Sequence, residues 1–304
     1  MERANLYDLV EMESPEAVLD EVKTILTMVP QGIDFTPVSS AFRTTDDLYG
    51  GRFTGYRACN TMYHDLNHIT DTFLAMARLI HGAVIEGKSL SNREITLSLI
   101  AALFHDAGYM QETHDTKGTG SKYTTNHVKR SMLFFRIYVE KHGFPEEEIA
   151  VGRSMILCTD LAVDIHGIRF ISGQTELLGK MLGLADLFAQ MADRKYLEKL
   201  LFLYHEFKEG MVDMYKDEVD FLRKTVDFYD LVDRRAATVL GRTNRFFLPH
   251  LKSRWNIHVD LYQEAIENHQ NYLRQIVKMP QSDPRDHLRR CQIVEKIRKI
   301  YGGM

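Results

Sequence analysis

Long stretches without proline are the feature that most constrains the fold of this 304-residue chain. Between Pro37 and Pro280 the only other prolines are Pro145 and Pro249. A proline inside a helix removes a hydrogen bond and clashes with the preceding turn, at a cost of about 3 kcal/mol. The proline-free stretches therefore permit long helices, although they do not by themselves require them.

Hydrophobic periodicity supplies the positive evidence for helices. In residues 60–84, apolar side chains recur at three- and four-residue spacing, at Leu66, Ile69, Phe73, Ala77 and Ile80. Residues 94–107 are apolar almost all round, which is typical of a central helix buried on every side. No stretch shows sustained two-residue alternation. The sequence therefore predicts an all-α fold, a compact helical bundle.

The remaining segments are assigned in the same way. Further helices are predicted over residues 126–142, 146–157, 177–209 (one or two helices), 211–240 and 256–278. Residues 28–58 and 108–125 are predicted to be irregular, and the second segment is a candidate for substrate contacts. We expect one continuous domain with a lead-in at 1–55, a core at 56–210 and C-terminal helices at 211–304 that pack on the core. The basic tail after residue 280 is predicted to be a solvated helix face or a packing arm.

Composition excludes several classes of partner. The net charge is −4 and the pI about 6.4, so a nucleic-acid polymer is not expected. The three cysteines, Cys59, Cys158 and Cys291, show no disulfide or metal-clip spacing. The N-terminal residues lack a signal-peptide core, and residues 95–104 are too short to cross a bilayer. These observations predict a cytoplasmic protein without membrane contact, and they leave its oligomeric state open.

Histidines and carboxylates gather first in residues 63–71, which read YHDLNHITD. On a helix, His64, His68 and Asp71 would project from one face, opposite the apolar stripe. Two histidines one turn apart can form half of a metal site. A surface pair of histidines arising by chance is the alternative.

Two later elements carry the same chemistry. His105 and Asp106 end the apolar run, and a cation is one of the few partners that offsets the burial of a carboxylate. The alternative is that the helix simply ends there with Asp106 solvated. Asp186 is the lone acid in the apolar run of residues 177–188, where either a metal or an ion pair with Lys180 would account for it.

Taken in order, these residues form the pattern H…HD…D, and the chain resembles the HD superfamily of metal-dependent phosphohydrolases. It resembles in particular the catalytic domains of class I cyclic nucleotide phosphodiesterases. YHDLNHITDT is similar to the family's YHNxxHAxDV, AALFHDAGYM to ALFHDxxH, and ILCTDLA to ILATDLA. The stretch from ADLF to HEFKEG is similar to the family's last aspartate motif and the EFxxG element that follows it. The resemblance covers residues 56 to 210.

The resemblance implies a role for each matching residue. It implies that a first metal is held by His68, His105, Asp106 and Asp186, and that Asp106 bridges to a second metal. His64 would be the general acid that protonates the leaving oxygen. His127, Thr159 and Asp160 would support the site or contact the second metal. Mixed imidazole and carboxylate ligands suit two divalent ions such as Zn, Fe, Mn, Ni or Mg, and no other cofactor is predicted.

The chain departs from the family where the nucleotide base is recognised. No glutamine occurs between Gln190 and Gln263, although the family uses one together with a phenylalanine clamp. Phe246-Phe247 is the only nearby phenylalanine pair. Tyr109 occurs where the family has a histidine, and Asp65 where it has an asparagine. The metal core is therefore expected to be retained while cyclic AMP or cyclic GMP is not indicated as the substrate.

These considerations predict a phosphodiesterase acting on a small phosphate ester, with a cyclic or other nucleotide as the candidate substrate. Hydroxide held between the two metals would attack phosphorus, and His64 would protonate the leaving group. One alternative is a nucleotide phosphomonoesterase or triphosphohydrolase. Another is a signalling module that binds a nucleotide without turnover, which the presence of His64 disfavours.

Overall fold

The computed structural model describes residues 4–29 and 32–302. Within these ranges the chain forms α-helices and short 3-10 turns, with no β-strand. The helices are α1 Pro15–Thr27, α2 Thr36–Tyr49, α3 Leu66–Ile85, α4 Asn92–Phe104, α5 His127–Lys141, α6 Glu146–Leu157, α7 Gly173–Ala192, α8 Tyr196–Glu209, α9 Glu218–Thr238, α10 Phe247–Trp255, α11 Leu261–Ile276 and α12 Ile293–Tyr301. The prediction of an all-α bundle is confirmed.

Helices α3, α4 and α7 form the centre of the bundle. The most extensive helix–helix contact in the fold is between α3 and α7, and α4 packs on both of them. Every residue of α4 from Ile95 to Phe104 is buried, as predicted for a helix that is apolar on all sides. The predicted metal ligands lie on α3, on α7 and directly after α4, so these three central helices position them.

Side-chain caps explain where the central helices begin. Ser91 and Glu94 form a reciprocal capping box at the start of α4, and Ser172 and Thr175 form one at the start of α7. Such caps satisfy backbone N–H groups that have no partner within the helix, and each stabilises its helix by about 1 kcal/mol. The starting points of α4 and α7 are therefore set by local sequence.

One predicted segment is wrong. The prolines and glycines of residues 28–58 predict an irregular segment, yet α2 occupies Thr36–Tyr49. Pro37 lies in the first turn of α2, where its missing N–H has no helical partner to lose and its fixed φ suits the helix. Gly50 and Gly51 follow the last residue, so the proline and the glycines bound a helix here.

The lead-in and C-terminal segments contact the core directly. Helix α1 packs on α3, and α11 packs on α7 and α9. The basic tail forms α12, which buries Ile293, Val294 and Ile297 and packs on α8. Arg285 in the tail forms salt bridges with Glu218 and Asp283. The tail is therefore a packing arm whose cations are partly paired within the fold.

Crossing a bilayer requires a helix that is both long and apolar. None of the helices in the described residues combines these two properties.

Candidate metal centre

The segment that carries His64 and His68 is only partly helical. Helix α3 begins at Leu66, where Asp65 accepts a hydrogen bond from the His68 backbone N–H, so His64 precedes the helix. The prediction that His64 and His68 lie on one helical face is therefore wrong. Because Asp65 can cap a helix, the chain stays extended at this position and His64 approaches the site from outside α3.

His105 and Asp106 follow the last residue of α4. His105 is fully buried and Asp106 is 4% exposed, which rules out a solvated aspartate at an ordinary helix end. Gly108 is required next, because a Cβ there would lie 2.0 Å from the His127 carbonyl oxygen. This close approach brings the start of α5, and with it His127, next to the His105–Asp106 pair.

Asp186 faces the same point from α7. Lys180, the ion-pair partner considered for it, instead contacts Glu176 at 2.6 Å. The Asp186 carboxylate lies against the two histidines, and its Oδ1 is 3.2 Å from His68 Nε2 and 3.5 Å from His105 Nε2. A structural ion pair with Lys180 therefore does not account for this acid.

The four predicted ligands converge. His68 Nε2 is 3.1 Å from Asp106 Oδ2 and 3.2 Å from His105 Nε2, and His105 Nε2 is 3.5 Å from Asp106 Oδ2. Ligand atoms of His68, His105 and Asp106 all lie within 4.8 Å of one another. Three separate helices thus bring two imidazoles and two carboxylates to a common point.

The electrostatics of the cluster reflect this mutual contact. Burial alone lowers the pKa of His68, but hydrogen bonds and charges from Asp106 and Asp186 raise it to about 10. The pKa of His105 is raised in the same way, against burial. Burial favours a higher pKa for both carboxyls, yet the histidines hold the pKa of Asp106 well below its usual range and that of Asp186 at about 2. The cluster keeps its carboxylates ionised by placing positive charge between them.

The donor set fits a divalent cation. His105 Nδ1 lies 2.8 Å from the Ala102 carbonyl oxygen, which can only accept, so Nδ1 carries a proton and Nε2 is the ring atom that faces the cluster. The Nε2 atom of His68 faces it at 3.2 Å. Two lone pairs at this distance repel unless a proton or a cation lies among them. Mixed nitrogen and oxygen ligands of this kind suit first-row divalent ions and Mg²⁺.

Glu206 is a site residue that the sequence patterns do not single out. Its Oε2 lies 2.6 Å from His64 Nδ1, and its Oε1 accepts hydrogen bonds from the backbone N–H groups of Met62 and Tyr63, both at 2.7 Å. Glu206 is 3% exposed. Since its carboxylate holds the proton on Nδ1, the other ring nitrogen of His64 remains available. Glu206 is the acid of the EFxxG element, but that element does not indicate its role, because its partner His64 lies 142 positions away in the chain.

His127 and His64 are held on either side of one aromatic ring. Tyr109 stacks on His64 at 4.3 Å and on His127 at 4.5 Å, measured between ring centroids. His127 Nδ1 lies 2.7 Å from the Thr124 carbonyl oxygen, and its Nε2 is 3.5 Å from Asp106 Oδ1. Asp106 therefore contacts the first cluster through one oxygen and His127 through the other. A second-metal role for Asp106 and His127 stays a prediction.

Thr159 and Asp160 have local hydrogen bonds. Thr159 donates to the Ile156 carbonyl at 2.8 Å, and Asp160 accepts from the Ala162 backbone N–H at 2.9 Å. The end of α6 does pack closely on α7, since a Cβ at Gly183 would lie 2.5 Å from the Cys158 carbonyl oxygen. A role for these two residues in the site stays a prediction.

The irregular segment 108–125 is confirmed, with two short 3-10 turns in it, and is tied to the core. Glu209 accepts hydrogen bonds from the backbone N–H and the hydroxyl of Thr119. Arg130 donates to the carbonyls of Gly108 at 2.7 Å and Met110 at 2.9 Å. Helix α8 thus contacts two segments beside the site. Glu206 binds the segment that carries His64, and Glu209 binds residues 108–125.

The phenylalanine pair is not a nucleotide clamp. Phe246 and Phe247 are both fully buried, and Phe247 stacks on Tyr262 at 3.8 Å. They belong to the core between α10, α11 and α3.

Comparisons of the chain with family models, with curated proteins and with solved structures gave no match. The function of the chain is therefore inferred from the geometry of this centre.

Proposed function

We propose that the chain is a metal-dependent phosphohydrolase that cleaves a small phosphate ester, with a phosphodiester of nucleotide type as the leading candidate. One observation carries the proposal. Ligand atoms of His68, His105 and Asp106 lie within 4.8 Å of one another, and Asp186 contacts both histidines. The His64 ring lies 5.7 Å from that of His68, with the Glu206 carboxylate on its Nδ1. A cluster built only for stability has no need of an oriented histidine at its rim.

His68, His105, Asp106 and Asp186 would hold the first cation, while Asp106 and His127 would hold the second. Two divalent cations, when bound, supply Lewis-acid chemistry that neutralises phosphoryl oxygens and lowers the pKa of water. The chain's own contribution is to fix these ligands before the substrate arrives. The Ala102 and Thr124 carbonyls set the tautomers of His105 and His127, so that each ring presents its Nε2.

His64 is placed to deliver a proton to the leaving oxygen. Glu206 holds Nδ1, and stacking on Tyr109 fixes the plane of the ring. A positioned general acid of this kind contributes about 10²- to 10⁴-fold to the rate when the leaving group is a poor one. Because Glu206 also accepts hydrogen bonds from the backbone N–H groups of Met62 and Tyr63, it fixes the position of His64 relative to the metal ligands as well as the orientation of its ring.

Metal analysis combined with hydrolysis of bis(p-nitrophenyl) phosphate tests the enzymatic function. We expect the purified protein to contain a divalent metal and to hydrolyse this ester, and we expect His105→Ala to lose both properties. His114→Ala is the matched control, because the His114 side chain is 79% exposed and pairs with the exposed side chain of Glu112. Stoichiometric metal without turnover of any ester in a panel of cyclic nucleotides, dinucleotides and nucleoside phosphates would favour the binding module instead.

The leaving group separates the acid role of His64 from a structural one. In His64→Ala we expect retained metal, a small loss of kcat with a p-nitrophenolate leaving group, and a loss of about 10² or more with an alkoxide leaving group. The difference arises because p-nitrophenolate departs without a proton. Equal losses for both esters would show that His64 does not act as the general acid.

A further inference from the structure

A second cavity is lined by none of the proposed metal ligands, and its lining includes both cationic and acidic side chains. It has a volume of about 620 Å³ and is bounded by residues 6–13, by α3, by the end of α7 and by the start of α11. Its lining includes Arg78, Arg194, Lys195 and Arg290. None of these four residues belongs to the candidate metal centre.

Arg78 is the unusual member of this lining. It is 2% exposed, and its one hydrogen bond in the described residues runs from a terminal nitrogen to the Tyr262 hydroxyl at 3.0 Å. Its Nε and its other terminal nitrogen are buried without a partner. Burying a guanidinium without a carboxylate is strongly unfavourable unless an anion or ordered water satisfies it.

The neighbouring groups do not neutralise Arg78. The lining also contains four carboxylates, Glu11, Glu13, Asp71 and Asp193. Glu13 pairs with Lys195, and Asp193 pairs with Lys199 at 3.0 Å. His250, packed close to Arg78, has its pKa lowered to about 2 by burial and by that positive charge. Within the described residues Arg78, Arg194 and Arg290 form no salt bridge with any of these carboxylates, so the Arg78 guanidinium has no charged partner.

Aromatic and apolar groups complete the cavity. Tyr7 lies under the Arg194 guanidinium at 5.1 Å, and Val10 and Met12 line the same wall. A planar guanidinium recognises carboxylate and phosphate oxygens in pairs, while the aromatic and aliphatic surface suits a small organic body. We propose that this cavity binds a small organic anion whose carboxylate or phosphate group contacts Arg78. The proposal is independent of the hydrolysis proposed above.

Cys291 provides a native reporter for this site. It is exposed and lines the cavity, whereas burial raises the pKa of Cys59 to about 11 and that of Cys158 to about 12. Thiolates are the reactive form, so a neutral alkylating reagent modifies Cys291 first. The experiment measures the rate of Cys291 alkylation by iodoacetamide, by peptide mass spectrometry, against rising inorganic phosphate or succinate at constant ionic strength set with chloride.

We expect saturable protection of Cys291 by at least one of the two probes, and the effective probe identifies whether phosphate or carboxylate is preferred. Arg78→Gln should weaken the apparent affinity by about tenfold or more, because a charge-assisted contact is lost. Arg93→Gln, which removes a salt bridge to Glu148 elsewhere, should leave protection unchanged. If Arg78→Gln does not fold, Arg290→Gln and Arg194→Gln should each weaken protection.

No protection by either probe overturns the proposal. Equal protection in folded Arg78→Gln, or in both Arg290→Gln and Arg194→Gln where Arg78→Gln does not fold, also overturns it.

Discussion

Glu206 uses both of its carboxylate oxygens on the segment that carries His64. One oxygen orients the imidazole, and the other binds two successive backbone N–H groups. A single side chain therefore fixes the position and the tautomer of the proposed acid. The residue types of the centre could be predicted from the H…HD…D pattern. The role of Glu206 could not be predicted, because its partner His64 is distant in sequence. The role of Tyr109 could not be predicted either, because a tyrosine occurs where the family has a histidine.

Replacing Glu206 by glutamine tests this positioning role. In Glu206→Gln we expect metal content to be retained and kcat for an alkoxide leaving group to fall by about tenfold or more, with a smaller change for p-nitrophenolate. The amide has a single acceptor oxygen, so it cannot accept both from the backbone N–H groups and from His64 Nδ1–H, and it no longer carries the charge that faces His64. The measurement is kcat and KM for the two esters.

Glu147→Gln serves as the matched control, since Glu147 is exposed in the first turn of α6. A kcat in Glu206→Gln that equals that of the control for both esters would contradict the positioning role.

At the scale of elements, the helices that carry the centre are the easiest to predict. Helix α4 is apolar on every side, and the apolar run of residues 177–188 in α7 contains a single acid, so the sequence indicates both their type and their burial. Helix α2 is harder to predict, because Pro37 has the character of a helix breaker although it lies in the first turn. The start of α3 is also difficult to place, since capping by Asp65 competes with extending the helix through His64.

The contact between Gly108 and α5 offers a test at this scale. Gly108→Ala should destabilise the fold by about 2 kcal/mol, because the added methyl would lie 2.0 Å from the His127 carbonyl oxygen and force α5 to move. We expect weaker binding of the second metal in the same variant. Thermal unfolding and metal titration measure the two effects.

Gly167→Ala is the control, because no other group lies within 4 Å of the position that its added methyl would occupy. It should stay within about 0.5 kcal/mol of the parent. If Gly108→Ala were as stable as this control and bound metal equally well, the close approach would not position His127.

The cap of α11 predicts a pH dependence. Asp260 accepts hydrogen bonds from the Tyr262 and Gln263 backbone N–H groups, and burial raises its pKa from 3.8 to about 6. The folded state therefore binds this proton more tightly than the unfolded state does, so the stability of the parent falls as pH rises from about 4 to about 6. In Asp260→Asn this decrease of about 1–3 kcal/mol should be absent, because the cap remains and the titration is lost.

Denaturant unfolding at several pH values measures this dependence. Asp260→Ala should lose the same pH dependence but also about 1 kcal/mol of cap stabilisation at every pH. A decrease with pH in Asp260→Asn that matches the parent would show that another group is responsible.

At the scale of the whole molecule, the metal centre is formed by helices that lie far apart within residues 56–210. Asp186 on α7 is 118 positions from His68 on α3, and the α3–α7 contact that brings them together is the most extensive in the fold. Metal binding is therefore expected to stabilise the bundle and not only a local loop. The stabilisation grows with the logarithm of metal concentration over Kd, reaching about 2.7 kcal/mol at a hundredfold excess.

Chelation should accordingly lower the melting temperature of the parent, and readdition of metal should restore it. The shift should be absent in His105→Ala, because this variant is expected to bind no metal at the centre. It should be present in His114→Ala. Differential scanning calorimetry measures both, and an equal shift in His105→Ala would place the stabilising metal elsewhere.

The central claim is that a cation is held among His68, His105, Asp106 and Asp186. Anomalous diffraction from crystals of the metal-loaded protein, recorded at the absorption edge of the bound metal, tests this claim most directly. We expect a peak within coordination distance of both Nε2 atoms and of the two carboxylates. A fully loaded crystal with its anomalous peak at another position, and none among these four side chains, would contradict it.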